Sequence, residues 1–343
     1  MNKTILSRIV GPNQKHSASN TIGYLNSLFM SNRVEDILKF YSYFNNREEL
    51  IRWMRERPKG RAEIYEVEGN KDIIVVIPTV DFNGEYAKHC REDIFKSLHM
   101  IFVVSGGKDP YFNYAHNCNI GIKRAMGYGP KWIVVSNDDM YKIDDVTYLS
   151  EGLSKIDHNE LAVVFAKPTF YHSVPCVLSS ERLATKFAYR ILMNNNLRNK
   201  RREIERRFGI VIRASEYMEY KNSLRTIKRL KSFLDFILLR QKLSKPFINT
   251  GSFAIFGGAF VRQLDGHLFD ETFINGCEDI YLSFMMAKKQ LNACFLDYKI
   301  GDYAGSILGN EKDRWFRNVA SFAYFNYLLE KELPDSGSFY RIP

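Results

Sequence analysis

Two acidic motifs in the sequence combine residue types and positions that suit metal-assisted or acid–base chemistry. The first, Asn137-Asp138-Asp139, directly follows a β-branched apolar run, Trp132–Ser136, which predicts a buried strand. Parallel α/β sheets bind ligands at the carboxyl ends of their strands. Adjacent carboxylates in such a cleft repel each other. A divalent cation would compensate their charge, and a diphosphate could complete its coordination sphere. An exposed acidic turn is the alternative, because Asp and Asn are ordinary turn residues.

The second acidic motif lies near the carboxyl end of the chain. Phe269-Asp270-Glu271 is followed by Glu278 and Asp279, at the predicted start of a helix. A carboxylate that faces a cleft can serve as general base toward an acceptor hydroxyl. Capping is the alternative, because acidic residues in a first turn are favourable for the helix dipole. Capping accounts for one carboxylate but not for the apolar sequence around the pair.

An alternation of strands and helices is expected to position both motifs. The predicted strands are 73–77, 100–105, 132–136, 161–166, 253–256 and 293–298, and the predicted helices among them are 111–126 and 278–290. Strands alternating with helices at this spacing predict an α/β protein with a doubly wound, mostly parallel sheet.

The remaining segments are predicted to be helical additions to this domain. Residues 1–70 form an N-terminal extension, with apolar positions at helical spacing between 20 and 57. Residues 71–177 and 248–310 are the two halves of the α/β domain. They are separated by a basic helical insertion, 178–247, and followed by a C-terminal helical tail, 311–343.

The net charge of +10 is concentrated in the insertion. Residues 178–245 contain 18 Lys and Arg against 6 Asp and Glu, a balance of +12 that leaves −2 for the rest of the chain. Three interpretations stay open. The segment binds an anionic membrane surface, binds a phosphate-bearing acceptor such as a lipid-linked diphosphate sugar, or forms a solvated helical hairpin that closes the site.

Composition excludes several other classes of protein. A hydrophobic content of 45% and an aromatic content of 14% predict a packed core and not a disordered chain. The longest apolar runs are far shorter than the roughly 20 residues of a membrane span, and residues 1–10 lack the apolar segment of a signal peptide. We therefore expect a cytoplasmic protein, and the basic segment favours peripheral association with the membrane surface. The five cysteines include no C-x-x-C pair, so neither a zinc site nor a disulfide framework is indicated.

Four motifs, in order along the chain, resemble the family 2 glycosyltransferases, which have the GT-A fold. Residues 73–80 (IIVVIPTV) look like that family's first strand and "IPT" turn, and residues 113–122 (NYAHNCNIGI) look like its "GFxxAxNxGI" segment. Ser136-Asn137-Asp138-Asp139 is similar to its variant of the DxD motif. Phe269-Asp270-Glu271 with Glu278, Asp279 and Leu282 is similar to its "FDExF…EDxDL" block. The resemblance covers about residues 73–306, interrupted by the basic insertion.

The resemblance implies an inverting glycosyltransferase of the hexosyltransferase type. It would move a sugar from a nucleotide-sugar donor to the hydroxyl of a glycan or a lipid-linked sugar, with Mn²⁺ or Mg²⁺ as cofactor. The implied roles are a metal ligand (Asp139), a contact to the donor's ribose or sugar (Asp138), contacts beside the nucleotide base (Thr79 and Asp81), a donor-side residue (Asn119), a general base (Asp279) and a residue that orients the base or the acceptor (Glu278).

The sequence departs from the family pattern at two places. The second predicted strand ends in Val104-Ser105-Gly106-Gly107, without the carboxylate that commonly reads the nucleobase, so UDP, GDP and dTDP donors all stay open. Where the family often has a late His near the metal, residues 300–306 (IGDYAGS) offer Asp302. Asp302 is therefore a candidate metal ligand, and its oxygens suit Mn²⁺ and Mg²⁺ equally well.

Two other classes of function agree less well with the sequence. A sugar nucleotidylyltransferase would have a Gly-rich, cationic phosphate loop after the first strand, and residues 80–84 (VDFNG) do not supply it. The other class is a catalytically degenerate GT-A domain that binds nucleic acid or anionic lipid through the basic segment. Nucleic acid is disfavoured, because the basic residues are not accompanied by a recognisable reading module.

Overall fold

A computed structural model describes residues 18–105, 109–167, 175–180, 195–216, 247–249, 251–274, 276–303 and 311–332. The helices are α1 Ala18–Phe29, α2 Val34–Ser42, α3 Arg47–Glu56, α4 Glu85–His89 (continued by a π-helical turn, Cys90–Ile94), α5 Tyr114–Met126, α6 Val146–Ser154, α7 Asn195–Arg207, α8 Gly258–Gln263, α9 Glu278–Lys288 and α10 Glu311–Glu332. The strands are β1 Glu63–Val67, β2 Asn70–Thr79, β3 Leu98–Val104, β4 Trp132–Ser136, β5 Met140–Lys142, β6 Val163–Ala166, β7 Pro175–Ser180, β8 Ile212–Glu216, β9 Phe247–Ile248, β10 Phe253–Gly257, β11 Ala293–Leu296 and β12 Ile300–Asp302.

The predicted α/β architecture is confirmed, and its central sheet is mixed. The strand order is β1-β3-β2-β4-β10-β6-β11. Strands β2, β3, β4, β6 and β11 run in one direction, whereas β1 and β10 run the opposite way. The expectation of a mostly parallel sheet therefore holds for five strands. It misses β10, which is inserted antiparallel between β4 and β6.

Strand β2 lies in the interior of this sheet, between β3 and β4, and both of its faces are apolar. Ile73, Val75 and Ile77 pack into the layer that contains α4 and α6. Ile74 and Val76 pack into the opposite layer, with α5, α8 and α9. Each fully buried Val or Ile side chain stabilises the fold by about 1.5–3 kcal/mol. The alternating burial fixes the register of β2 and hence the position of its carboxyl end.

A glycine brings helix α5 close to the sheet. A Cβ on Gly121 would overlap the side chains of Val76 on β2 and Val103 on β3. The absence of a side chain lets the helix backbone approach both strands. The N-terminal turn of α5 is thereby held over the carboxyl ends of β2 and β3.

The N-terminal helices form a separate core with the C-terminal helix. Phe40 on α2 lies with its ring 4.6 Å from that of Trp53 on α3. The hydroxyl of Tyr41 donates to the Phe316 carbonyl of α10 at 2.7 Å. The predicted helical extension is thus present as three helices. Its last part differs from the prediction, because β1 joins the edge of the central sheet beside β3.

The basic insertion contains strands as well as helix. Strands β7, β8 and β9 form a small antiparallel sheet, and Cys176, Leu178 and Ile212 from it are buried in the core of the N-terminal helices. The prediction of a helical insertion is therefore only partly correct, because the described part of this segment contains three strands as well as helix α7. The predicted apolar stripe at 224–237 lies outside the described residues. No helix in the described ranges is long and apolar enough to cross a membrane.

Candidate functional site

The carboxyl ends of β2 and β4 bring Thr79 and Asp138 together. The Thr79 hydroxyl donates to Asp138 Oδ2 at 2.6 Å, and both side chains are buried. Burial raises the pKa of Asp138, although the Thr79 hydrogen bond and the backbone N–H groups of residues 138 and 139 act in the opposite direction. Two residues predicted on the donor side are therefore in direct contact at this edge of the sheet.

The predicted metal ligands lie on adjacent backbone segments. Strands β5 and β12 pair antiparallel, with Asp302 opposite Met140, the residue after Asp139. The pairing continues one residue further, where the Tyr303 N–H donates to the Asp139 carbonyl at 2.9 Å. Asp302 is 8% exposed and Asp139 is half-buried. The backbone around Asp302 thus lies beside the first acidic motif.

Carboxylate oxygens such as those of Asp139 and Asp302 are ligands that hard divalent cations prefer. Mg²⁺ is commonly held by one or two protein carboxylates together with water and phosphate oxygens of a substrate. In the described part of the chain, no group of three or more His, Cys, Asp or Glu side chains is arranged to hold a metal. A cation held by Asp139 and Asp302 would therefore complete its coordination with oxygens from a ligand or from water.

Asp81 lies in the turn between β2 and α4. Its carboxylate accepts the Asn83 N–H at 2.9 Å, its carbonyl accepts the Gly84 N–H at 3.1 Å, and the residue is exposed. The turn places Asp81 two residues beyond Thr79, at the same edge of the sheet. This position allows the contact with a nucleotide base that the resemblance implies, and that contact stays a prediction.

The second acidic pair begins helix α9. Cys277, at the cap position, has a left-handed backbone with φ of 72°, and Glu278 and Asp279 form the first turn. Glu278 is 6% exposed, and its Oε2 has no hydrogen-bond partner within the described residues. Burial, reinforced by the neighbouring Asp279 charge, raises the pKa of Glu278 from 4.5 to about 8. Glu278 is therefore largely protonated at neutral pH.

Asp279 is more accessible than Glu278. Its Oδ1 accepts the Ile280 N–H at 2.8 Å, and the residue is half-buried at the N-terminus of the helix. The positive end of the helix dipole favours a negative charge there. The pair thus combines a buried carboxyl that holds a proton with a solvent-accessible carboxyl beside it, an arrangement suited to general base chemistry.

Helix α5 links this pair to the donor-side residues. Burial is the main cause of the raised pKa of Tyr114, on the first turn of α5; Cys118 adds to it, and the charges of Glu278 and Asp279 make the smallest contributions. One turn further along α5, Asn117 donates from Nδ2 to the Ser105 hydroxyl at 2.8 Å. Ser105 in turn donates its backbone N–H to the Thr79 carbonyl. The first turn of α5 therefore connects the start of α9 with the ends of β2 and β3.

Asn119 fastens α5 to the segment before α9. Its Nδ2 donates to the Phe269 carbonyl at 2.8 Å and to Glu271 Oε1 at 3.0 Å. Its Oδ1 accepts the backbone N–H groups of Leu268 and Phe269, each at 3.1 Å. These four bonds use the full hydrogen-bonding capacity of the amide. The structure thus gives Asn119 a positioning role, and its contact with a donor stays a prediction.

Two further residues that the sequence did not single out hold the same segment. Asn113 caps α5 by accepting the His116 N–H, and its Nδ2 donates to the carbonyls of Glu271 and Phe273. His116 contacts Glu271 through Nδ1 at 2.8 Å, which lowers the pKa of the Glu271 carboxyl. An Asn directly before an apolar helical pattern is a capping signal that the sequence does carry. The distant His116–Glu271 pair has no such local signal.

The start of β10 adds a polar group to this edge. Ser252 accepts the Asn137 N–H through its carbonyl at 2.8 Å, directly beside the first acidic motif. Ser252 Oγ is buried and has no hydrogen-bond partner among the residues that the structure describes. Because β10 runs antiparallel, its first residue lies opposite Ser136, where β4 ends.

No protein-family model and no curated protein matches this sequence. The function therefore has to be inferred from the geometry of the site and from the motifs in the sequence.

Proposed function

We propose that this protein is a metal-dependent glycosyltransferase of the GT-A type, which transfers a sugar from a nucleotide-sugar donor to an acceptor hydroxyl with inversion. The observation that carries the proposal is the pairing of β5 with β12. This pairing brings Asp302 beside Asp139 at the carboxyl edge of an α/β sheet, next to the hydrogen-bonded Thr79 and Asp138.

The donor side of the proposed site consists of oxygen ligands and a buried acid. Asp139 and Asp302 would hold Mn²⁺ or Mg²⁺, because hard cations prefer carboxylate oxygens. When bound, the cation would neutralise the negative charge that develops on the departing diphosphate. Asp138, fixed by Thr79, would contact the ribose or the sugar, and Asp81 would lie near the nucleotide base.

The acceptor side consists of the pair at the start of α9. Burial keeps a proton on Glu278 near neutral pH, so Asp279 is the member of the pair that would take the proton from the acceptor hydroxyl. Glu278 would orient Asp279 or the acceptor. Attack by this hydroxyl on the anomeric carbon, in line with the departing diphosphate, gives inversion.

Donor binding tests this proposal most directly. The melting temperature is measured with UDP-, GDP- and dTDP-sugars, each with and without Mn²⁺, because a ligand that binds only the folded state raises it. We expect a metal-dependent rise with one nucleotide, and we expect Asp139→Asn and Asp302→Asn to abolish it. Asp72→Asn is the matched control, since Asp72 is an exposed carboxylate near the amino end of β2, at the other end of the strand from Thr79.

The controls separate the proposed site from general metal effects. A rise that persists in both Asp139→Asn and Asp302→Asn would show that the cation binds elsewhere. The absence of any rise with millimolar donor and metal would refute the proposal. The corresponding nucleoside triphosphates are tested in the same way, and a rise in melting temperature with a triphosphate but with no nucleotide-sugar would favour a sugar nucleotidylyltransferase.

A further inference from the structure

A surface groove lies beside the end of β12, the strand that carries Asp302. Its volume is about 660 Å³, and it opens between α4 with its π-helical turn and the end of β12. Cavities of this size bind small ligands in many proteins. Tyr303 joins the groove to the candidate donor site, because it follows Asp302 and donates its N–H to the Asp139 carbonyl. The lining residues are Glu85, Tyr86, Lys88, His89, Glu92, Asp93 and Tyr303.

Two exposed tyrosine rings form the apolar part of the groove. Tyr86 is 50% exposed and Tyr303 is 58% exposed, and their ring centroids lie 6.4 Å apart with the planes inclined by 37°. Tyr141 supports Tyr303 at 5.0 Å. Gly301 faces Tyr141 across the β5–β12 pair, and a Cβ there would overlap the Tyr141 ring. The aromatic surface is therefore built into the strand pair that carries Asp302.

The charges of the groove disfavour a phosphate ligand. Three carboxylates line it. Its single lysine, Lys88, lies 4.0 Å from Glu92, and His89 lies 3.6 Å from Asp93. The Asp93 carboxylate also accepts from Lys142 at 3.2 Å. Carboxylates accept hydrogen bonds from hydroxyl groups. A neutral ligand rich in hydroxyls suits this lining better than an anion does.

From these features we infer that the groove binds a neutral carbohydrate, with Tyr86 and Tyr303 as its stacking surfaces. The C–H bonds on the face of a sugar ring carry a small positive charge, and the faces of aromatic rings are negative. The hydroxyls at the edge of the sugar ring reach the carboxylates. If the proposed glycosyltransferase function holds, on which this further step rests, the groove holds a non-reacting part of the acceptor glycan.

Oligosaccharide binding in the absence of donor tests the inference. The probes are cellopentaose, maltopentaose, xylopentaose and penta-N-acetylchitopentaose, with penta-galacturonate as the anionic comparison, each titrated to millimolar concentration by calorimetry. We expect at least one neutral probe to bind, and Tyr86→Ala and Tyr303→Ala each to weaken its binding about tenfold, as truncation of an aromatic anchor does. Tyr86→Trp should retain binding.

Tyr148→Ala is the matched control, because Tyr148 is 62% exposed on α6 and does not line the groove. Its binding should equal that of the unchanged protein, and the melting temperatures of all variants show that they are folded. The inference is overturned if no neutral probe binds, if both groove variants bind as tightly as Tyr148→Ala, or if penta-galacturonate binds most tightly.

The two proposals can fail separately. A metal-dependent donor shift without oligosaccharide binding removes the carbohydrate groove and leaves the donor site intact. Oligosaccharide binding that depends on Tyr86 and Tyr303, without any donor shift, removes the glycosyltransferase and leaves a carbohydrate-binding groove.

Discussion

Replacing Glu278 with glutamine should stabilise the protein at alkaline pH and have little effect at acidic pH. Glu278 is buried at the start of α9, and its pKa rises from 4.5 to about 8, first through burial and then through the Asp279 charge. Between these two pH values the folded protein keeps a proton that the unfolded chain has released. The unfolded state therefore binds fewer protons, and the stability of the fold decreases as the pH rises.

The size of the effect follows from the two pKa values. Below pH 4.5 the carboxyl is protonated in both states, so it adds no pH dependence. Between pH 4.5 and about pH 8 the free energy of unfolding should fall by up to about 1.4 kcal/mol per pH unit. The total loss above pH 8 should be at most about 5 kcal/mol. Glutamine has the same shape and binds no proton in either state, so its substitution should remove this slope.

Urea unfolding of the unchanged protein and of Glu278→Gln at pH 5, 6, 7 and 8 measures the difference, within the window that the two pKa values define. The stability gained by the variant should increase steadily with pH. Asp279→Asn should shift the upper end of the window to lower pH, because it removes the charge that helps to raise the pKa of Glu278. Glu151→Gln, an exposed change on α6, should follow the unchanged protein at every pH.

Parallel stability curves for the unchanged protein and Glu278→Gln would refute the reasoning. They would mean that Glu278 is ionised in the folded state at neutral pH. The assignment of Asp279 as the proton acceptor would then lose its physical basis.

Two further changes test the parts that position the site. Gly121→Ala should destabilise the protein by about 1–3 kcal/mol, because the added methyl overlaps Val76 and Val103. Gly23→Ala on α1, where the nearest atom lies 3.6 Å away, should stabilise it by about 0.5–1 kcal/mol. Equal effects of the two changes in urea unfolding would show that α5 is not closely packed on the sheet. Asn113→Ala should cost about 2–4 kcal/mol, because α5 loses its cap and the carbonyls of Glu271 and Phe273 lose a donor. Asp145 is half-buried and caps α6 by accepting the Thr147 N–H, without further carbonyl contacts of the kind that Asn113 makes among the described residues. Asp145→Ala should therefore lose clearly less, and an equal loss would mean that the two carbonyl contacts of Asn113 contribute nothing.

The central strands were predictable because burial on both faces leaves a strong local signal. The run Ile73-Ile74-Val75-Val76-Ile77 is apolar throughout, and it forms the buried part of β2. Strand β1 was missed because Glu63 to Tyr65 are exposed and the strand carries two glutamates, so no apolar pattern marks it. Strands β5 and β12 have three residues each, too few to produce a period. The reversed direction of β10 depends on pairing across the sheet, which local sequence does not encode.

The candidate site was predictable where motifs lie next to strand ends, and not where contacts join distant segments. Asp138 is the second residue after β4, and it lies near the carboxyl end of that strand in contact with Thr79. The ion pair of His116 with Glu271 needs the docking of α5 against the segment before α9. The pKa of Glu278 depends on burial, which an acidic residue in a first helical turn does not reveal.

The reversed direction of β10 also has a consequence for how this molecule could diversify. Strand β6 ends at Ala166, and β10 begins at Phe253 and runs antiparallel to it. The chain between them therefore leaves and rejoins the sheet at the same end of these two strands. Its length can change without shifting the Ile255–Val164 register of the sheet, as long as Cys176, Leu178 and Ile212 keep their places in the core of the N-terminal helices. Segments attached in this way accumulate changes faster than the scaffold that carries them. The same sheet, with the same acidic residues, could thus carry different segments between β6 and β10 in related proteins.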